Sequence, residues 1–249
     1  GTLIAAYKER GGNKMKIEIL FPEYGNLFGD LGNMMYLKAC LPNEEFIETS
    51  IDSEPAFVTE DVNLIYMGPM TGKNQEAVIQ KLLPYKDRIE EFIRKKKCFL
   101  FTGNAMEVFF REIIDGERRI EGLNIFDFSA VRVSDNYYTG NYYGEFNQRK
   151  VVGCKIQSSM AYGANEHCYF AKGIRGTGIN RSSGYEGVRR QNFIGTYLVG
   201  PLLVMNPYFT QYLMYHMGVE KPKLAYDVAI KEAYHQRLTE FENKRTVME

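Results

Sequence analysis

Short apolar runs alternate with longer stretches of helical period along the first half of the chain. Residues 16–21, KIEILF, are mostly apolar and too short for a helix, so they read as a strand. The glycine-punctuated segment 25–33, GNLFGDLGN, turns the chain into an apolar helix over 34–41, with Asp30 or Asn33 as its cap. Further strands are expected at 46–51 and at 62–67, VNLIYM, where Gly68-Pro69 stops the run. Helical stretches follow at 74–83 and 85–96. Then come the strand 98–102, CFLFT, a glycine turn at Gly103 and an apolar helix over 105–113. Such alternation implies crossover units on a parallel sheet, with functional groups at the strands' carboxyl ends.

The pattern changes in the middle. Short strand-like runs fill 122–153, with turns expected at Ser134-Asp135 and at Thr139-Gly140-Asn141, and they read as an antiparallel extension of the sheet. Four tyrosines bracket the second turn in 136–146, NYYTGNYYGEF, which suggests a hairpin with an aromatic face. That face either covers the sheet beneath or offers a docking surface, for which tyrosine supplies large contact area. A last strand is expected at 193–199, a helix at 208–217 and a charged, amphipathic helical tail after 223. Residues 1–14 read as a leader, and 15–249 as a single α/β domain. Its mostly parallel, flavodoxin-like sheet is expected to carry helices on both faces and an antiparallel strand extension.

Composition narrows the function classes. The 249 residues are 45% hydrophobic and 25% charged, an ordinary globular balance. Thirty-one basic residues face 31 acidic ones, so no net field gathers polyanions, and nucleic acid is not expected as a partner. The basic run 94–97 follows an amphipathic stretch and reads as decoration of a helix C-terminus. No apolar run has the length that a bilayer requires, so no membrane association is expected. Cys40, Cys98, Cys154 and Cys168 lie far apart, without CxxC spacing. This argues for a reducing cytoplasm and against a disulfide framework or a metal site, and no cofactor is expected.

Five segments in order carry a family resemblance: LFPEYGNLFGDLGN at 20–33, MGPMTGKNQ at 67–75, FTGNAMEVF at 101–109, EGLNIFDF through VVGCKIQSS at 121–159, and GYEGVRRQNFIGTYLVGPLLVMNP at 184–207. Taken together they are similar to the class I glutamine amidotransferases of the CobB/CobQ type, including the GatD glutaminase subunits. The resemblance implies that family's fold over 15–217. It also implies a partner such as a Mur-ligase-like or other synthetase subunit, in a peptidoglycan-amidating or a cobyric acid synthase-like setting.

Glutamine hydrolysis in that class requires a cysteine thiolate at a tight strand-to-helix turn, a histidine base and backbone donors for the oxyanion. The resemblance places Gly103 at the cysteine position and Val199 at the histidine position of a GTYLHGPLL-like strand, here GTYLVGPLL. Shifting the alignment by one residue offers only Thr102. The triple-glycine turn has become Gly68-Pro69-Met70, and proline has no N–H to donate. Gln157 stands where the family often has a histidine. A protein inactive as a glutaminase, acting as a binding or partner subunit, is the expectation.

Two alternatives stay open: a repurposed enzyme using another nucleophile, and a stand-alone small-molecule sensor. For the first, Thr102, Asn104, Glu107, Cys154, Gln157 and Ser158 are candidate pocket residues, beside Tyr197 on the last strand. A Cys154–His167 pair is the specific rescue, whereas Cys98 sits at the wrong end of its strand. Gly103-Asn104, opening a helix, offers amides to an anion.

Overall fold

The structure is a computed structural model that describes residues 13–133 and 137–249. The expected leader (all but its last two residues) and the Ser134-Asp135 turn lie outside the described residues.

Six strands form the central sheet in the order β13-β14-β4-β3-β1-β2. They are β1 (Lys16–Leu20), β2 (Glu45–Thr49), β3 (Leu64–Met67), β4 (Cys98–Thr102), β13 (Val188–Arg190) and β14 (Phe193–Thr196). All neighbours are parallel except β13 and β14, which form a hairpin. The helices are α1 (Gly32–Cys40), α2 (Gly72–Leu82), α3 (Lys86–Arg94), the short α4 (Leu202–Met205), α5 (Pro207–Met217) and α6 (Asp227–Glu242).

Period-two alternation explains why both sheet faces are covered. Ile65, Met67, Phe99 and Phe101 point to one side and pack with Val78, Ile79 and Leu82 of α2 and with Ile89, Phe92 and Ile93 of α3. Leu64, Tyr66, Cys98 and Leu100 point to the other and pack with Met34 and Leu37 of α1 and with Phe209, Leu213 and Met214 of α5. All of these are buried, and each such apolar side chain contributes roughly 1.5–3 kcal/mol. The run 94–97 does close α3: Arg94 ends the helix and Lys96, at φ 62°, turns the chain into β4.

The middle of the chain departs from expectation. Instead of extending the central sheet, it builds two more. One has the order β10-β7-β5-β6, from β5 (Phe110–Asp115), β6 (Arg118–Glu121), β7 (Phe126–Arg132) and β10 (Ser159–Tyr162). The other has the order β12-β11-β8-β9-β15, from β8 (Tyr138–Phe146), β9 (Arg149–Gln157), β11 (Ala171–Arg175), β12 (Tyr185–Glu186) and β15 (Leu198–Val199). The last expected strand is therefore split between β14 and β15, which lie in different sheets.

Three local expectations are corrected. The helix expected over 105–113 is a 3-10 segment, Gly103–Phe109, followed by β5. Aromatic and β-branched residues favour the strand, and Phe109 gains ring contacts with Phe101 and Phe193 at 4.5 and 5.0 Å. Thr139-Gly140-Asn141 is not a turn but the middle of β8, paired with Ile156, Lys155 and Cys154. The reversal falls at Asn147-Gln148, both at positive φ (49° and 67°), as a tight two-residue hairpin requires. Neither Asp30 nor Asn33 caps α1 through its side chain. Leu31 is the N-cap, and the Asp30 carboxylate turns into the interior.

Candidate functional site

The site forms where β4 ends. Thr102 is its last residue, and the Thr102 hydroxyl donates to the Asp30 carboxylate. Tyr66 donates to the same Oδ2 at 3.0 Å and to the Asp30 carbonyl at 2.8 Å. The opening loop is thereby tied to the ends of β3 and β4. Asp30 is fully buried, and burial pushes its carboxyl up to about 6 against the pull of those hydrogen bonds.

Gly103 makes the turn itself, at φ +58°. L-residues with a side chain meet steric cost there, which glycine avoids. A Cβ built on Gly103 would lie 2.6 Å from Pro69 Cβ and 3.2 Å from Pro69 Cγ. The proline ring therefore fills the space into which any side chain at 103 would project. Pro69 is itself held: its carbonyl accepts from Leu27 N–H at 3.1 Å. The Asn104 amide clamps the next residue, accepting from Met70 N–H at 2.9 Å and donating to the Met70 carbonyl at 2.8 Å. Pro69 has no N–H, and Met70's is engaged.

Beneath this turn lies a buried polar network. Glu107 accepts from Tyr197 Oη at 2.6 Å, from Gln75 Nε2 at 2.9 Å and from the Ser159 hydroxyl. Gln75 also donates to the Asn104 carbonyl at 2.8 Å and accepts from Arg132 Nη2 at 2.9 Å. Burial raises the Glu107 carboxyl, and its three donors oppose the rise. On the far side of Tyr197, its backbone N–H donates to Glu186 Oε2 at 3.1 Å, while Glu186 pairs with the equally buried Lys155 at 2.9 Å. Desolvation pulls the Lys155 ammonium down, and the Glu186 charge restores part of the loss.

Above the network is a small cleft of about 150 Å³. Of the residues singled out in the sequence, it is lined by Pro69, Met70, Asn104, Gln157, Ser158 and Tyr197. Gln157 donates to the Ser159 carbonyl at 2.9 Å, but its buried Oε1 has no hydrogen-bond partner among the described residues. Gly68, Thr102, Gly103 and Glu107 are not among the lining residues, and Glu107 meets the lining through Ser159 and Tyr197. Gly68 is packed so closely that a Cβ on it would lie 2.6 Å from the Gly25 carbonyl.

Val199 and Cys154 do not line the cleft. They sit opposite each other across β15 and β9, and Cys154 Sγ faces Asn141 Oδ1 at 3.8 Å. His167 lines a different crevice, on which Cys154 has no surface, so the proposed Cys154–His167 pair is not formed. Burial raises the thiols of Cys154 and Cys98, the latter to about 12, away from nucleophilic thiolates. Among the described residues no group of three His, Cys, Asp or Glu is placed to hold a metal ion.

Sequence reasoning missed Gln75, Ser159 and Arg132, whose roles arise only where α2, β7 and β10 converge. Phe28 and Tyr137 at the cleft mouth were also missed as lining groups. Phe28 had a signal, since it lies in a glycine-rich turn, but nothing in its sequence foretold φ 62° for an aromatic residue.

No protein-family model matches the chain. Curated relatives do. The chain is 26% identical over 197 residues to the GatD subunit of lipid II isoglutaminyl synthase (glutamine-hydrolyzing) of Staphylococcus aureus strain N315, covering 76% of this chain and 78% of that protein. It is 21% identical over 191 residues to the GatD subunit of Streptococcus pneumoniae strain R6, covering 74% of each. The chain is GatD-like in sequence and glutamine amidotransferase-like in fold. A solved glutamine amidotransferase superposes with a TM-score of 0.57 at 13% identity, covering 81% of this chain and 99% of that one. A Thermotoga maritima glutamine amidotransferase gives 0.52 at 13% identity, covering 93% of this chain and 87% of that one. At such identities the solved structures speak to the fold alone. Among the described residues no helix is long and apolar enough to cross a membrane.

Proposed function

We propose that this GatD-like chain does not hydrolyse glutamine and instead serves as a binding or partner subunit. The observation that carries the reading is the turn at Gly103, where the Pro69 ring occupies the direction in which a nucleophile would extend. Three further features point the same way. Val199, at the position expected to hold the base, cannot accept a proton. The loop facing Gly103 has one residue without an N–H and one whose N–H is bonded to Asn104. An oxyanion donor is commonly worth about 3–4 kcal/mol in the transition state, so its loss alone would be severe. Finally, no cysteine lines the cleft.

What the cleft retains is a means of binding. Gln157 borders the small cleft and its Oε1 is a buried acceptor without a partner among the described residues, so a ligand N–H or O–H that reached it would satisfy it. Similarity to GatD, named as a subunit of a synthase, suggests a Mur-ligase-like or other synthetase partner for this chain. Affinity capture of the tagged chain from its native lysate, with mass spectrometry of the recovered proteins, tests the partner role. Recovery of a synthetase subunit at constant stoichiometry is expected. Recovery of the chain alone would remove the partner reading and leave the cleft as a stand-alone ligand site.

A further inference from the structure

A second cavity lies at the other end of the central sheet from the Gly103 turn. It is an open crevice of about 790 Å³, bordered by Lys96, two residues before β4, and by Asn192, which immediately precedes β14. The Gly103 turn lies at the carboxyl end of β4, a five-residue strand at roughly 3.3 Å per residue, so the two sites are separated by about 15 Å of sheet. The crevice volume is in the range of small-molecule sites, about 300–1,000 Å³.

Its central group is Arg189 on β13. The guanidinium donates to Tyr212 Oη at 2.7 Å and lies over the Phe146 and Tyr212 rings, 5.1 and 5.8 Å from their centroids. It is half-buried and forms no ion pair among the described residues. A fixed, partly desolvated cation without a carboxylate is poised for an external anion, and the guanidinium fork matches phosphate geometry. Lys96 and His167 add donors on the walls, and Tyr169 and Tyr212 present aromatic surface. His216 packs on Tyr212 with ring centroids 4.2 Å apart, close enough to Arg189 that burial and the guanidinium charge together lower its titration. Glu166 is the acidic group on the lining, and a carboxylate among cations suits sugar hydroxyls rather than a second anion.

We propose that this crevice binds a small phosphate ester carrying a planar ring, of the nucleoside monophosphate class, with Arg189 holding the phosphate. The site is independent of the proposed role of the Gly103 cleft. It uses no residue of that cleft, and it stands whether or not the chain hydrolyses glutamine.

The chain's three histidines provide the readout, since His216 and His167 line the crevice and His235 lies on α6, packed against Tyr234. The full chain is titrated with adenosine monophosphate and, separately, with inorganic phosphate. Calorimetry gives the affinity, and the histidine ring resonances give each titration midpoint. Saturable binding of the nucleotide is expected, at least ten-fold tighter than that of phosphate, with the His216 midpoint rising and His235 unmoved. Arg189→Gln is expected to weaken nucleotide binding at least ten-fold, with circular dichroism verifying the fold. If that variant does not fold, Lys96→Gln on the exposed turn replaces it, with a several-fold loss expected. Absence of saturable binding by the wild-type chain at millimolar nucleotide would overturn the proposal. So would nucleotide no better than phosphate, or an affinity unchanged by the folded variants.

Discussion

Replacing Gly103 by alanine probes the geometry of the turn without introducing chemistry. Two costs add. Holding a side-chain-bearing residue at φ +58° costs about 1–2 kcal/mol. The new methyl would also start 2.6 Å from Pro69 Cβ, whereas two carbons rest at about 3.5–4.0 Å, so one of them must move by about 1 Å. The Pro69 loop resists movement because Leu27 and Asn104 hold it, and overpacking of this kind costs about 1–3 kcal/mol. The sum is about 2–5 kcal/mol, equivalent to a fall in Tm of roughly 5–15 °C for a chain of this size.

Pro69→Gly removes the colliding atoms. Alone it should cost no more than about 1 kcal/mol, chiefly by loosening the unfolded chain. In its background Gly103→Ala should cost only the backbone part, so the double-mutant cycle should show about 1–3 kcal/mol of coupling. Urea unfolding of the four proteins measures each term. A neutral Gly103→Ala, or single-mutant costs that add within about 0.5 kcal/mol, would refute the steric reasoning.

Other consequences follow from the buried groups around the cleft. Asp30 binds its proton more tightly when folded, at about 6 against 3.8, so its contribution to stability is greatest below pH 4 and is lost as pH rises through 6. Two units correspond to about 3 kcal/mol. Asp30→Asn should therefore gain on the wild type by up to that amount between pH 4 and pH 7, and a difference independent of pH would exclude the mechanism. Tyr197→Phe removes a 2.6 Å donor from buried Glu107 and should cost about 1–3 kcal/mol in urea unfolding, with no loss arguing that the network is slack. Lys155→Met leaves Glu186 buried without its cation, and a loss of about 3–5 kcal/mol is expected in the same assay, with under 1 kcal/mol showing that the pair is dispensable. Gly103→Cys with Val199→His should remain far below an active glutaminase while Pro69 is present, and full turnover would show that the missing loop donor matters little.

Much of the central sheet was legible in the sequence because β1, β3 and β4 are short, apolar and bounded by glycine or proline. Cys98–Thr102 was placed to the residue. The positions around the turn could be read because Gly68-Pro69 and Thr102-Gly103 end neighbouring parallel strands, and neighbours that stop together bring their loops together. What was not legible depended on contacts between distant segments. Phe110 to Ile114 fits a helical face or a strand equally well until the ring cluster around Phe193 decides it. Glycine in TGN signalled a turn, but Gly140 sits within β8, where a Cβ would meet the Met248 carbonyl at 2.9 Å. Three of the four tyrosines beside it, Tyr138, Tyr142 and Tyr143, are buried, so the aromatic face mainly covers the core and only Tyr137 reaches the cleft mouth. Sequence order groups Val199 and Cys154 with the pocket because it cannot reveal that the strand after Thr196 changes sheet.

The most direct measurement is glutamate release from glutamine by the purified chain, read through a coupled dehydrogenase beside a competent glutamine amidotransferase. Glutamate formation equal to the protein-free control is expected at every chain concentration, with or without the captured partner. Release that rises in proportion to the chain and survives repurification would contradict the reading that the Gly103 turn carries no glutaminase chemistry.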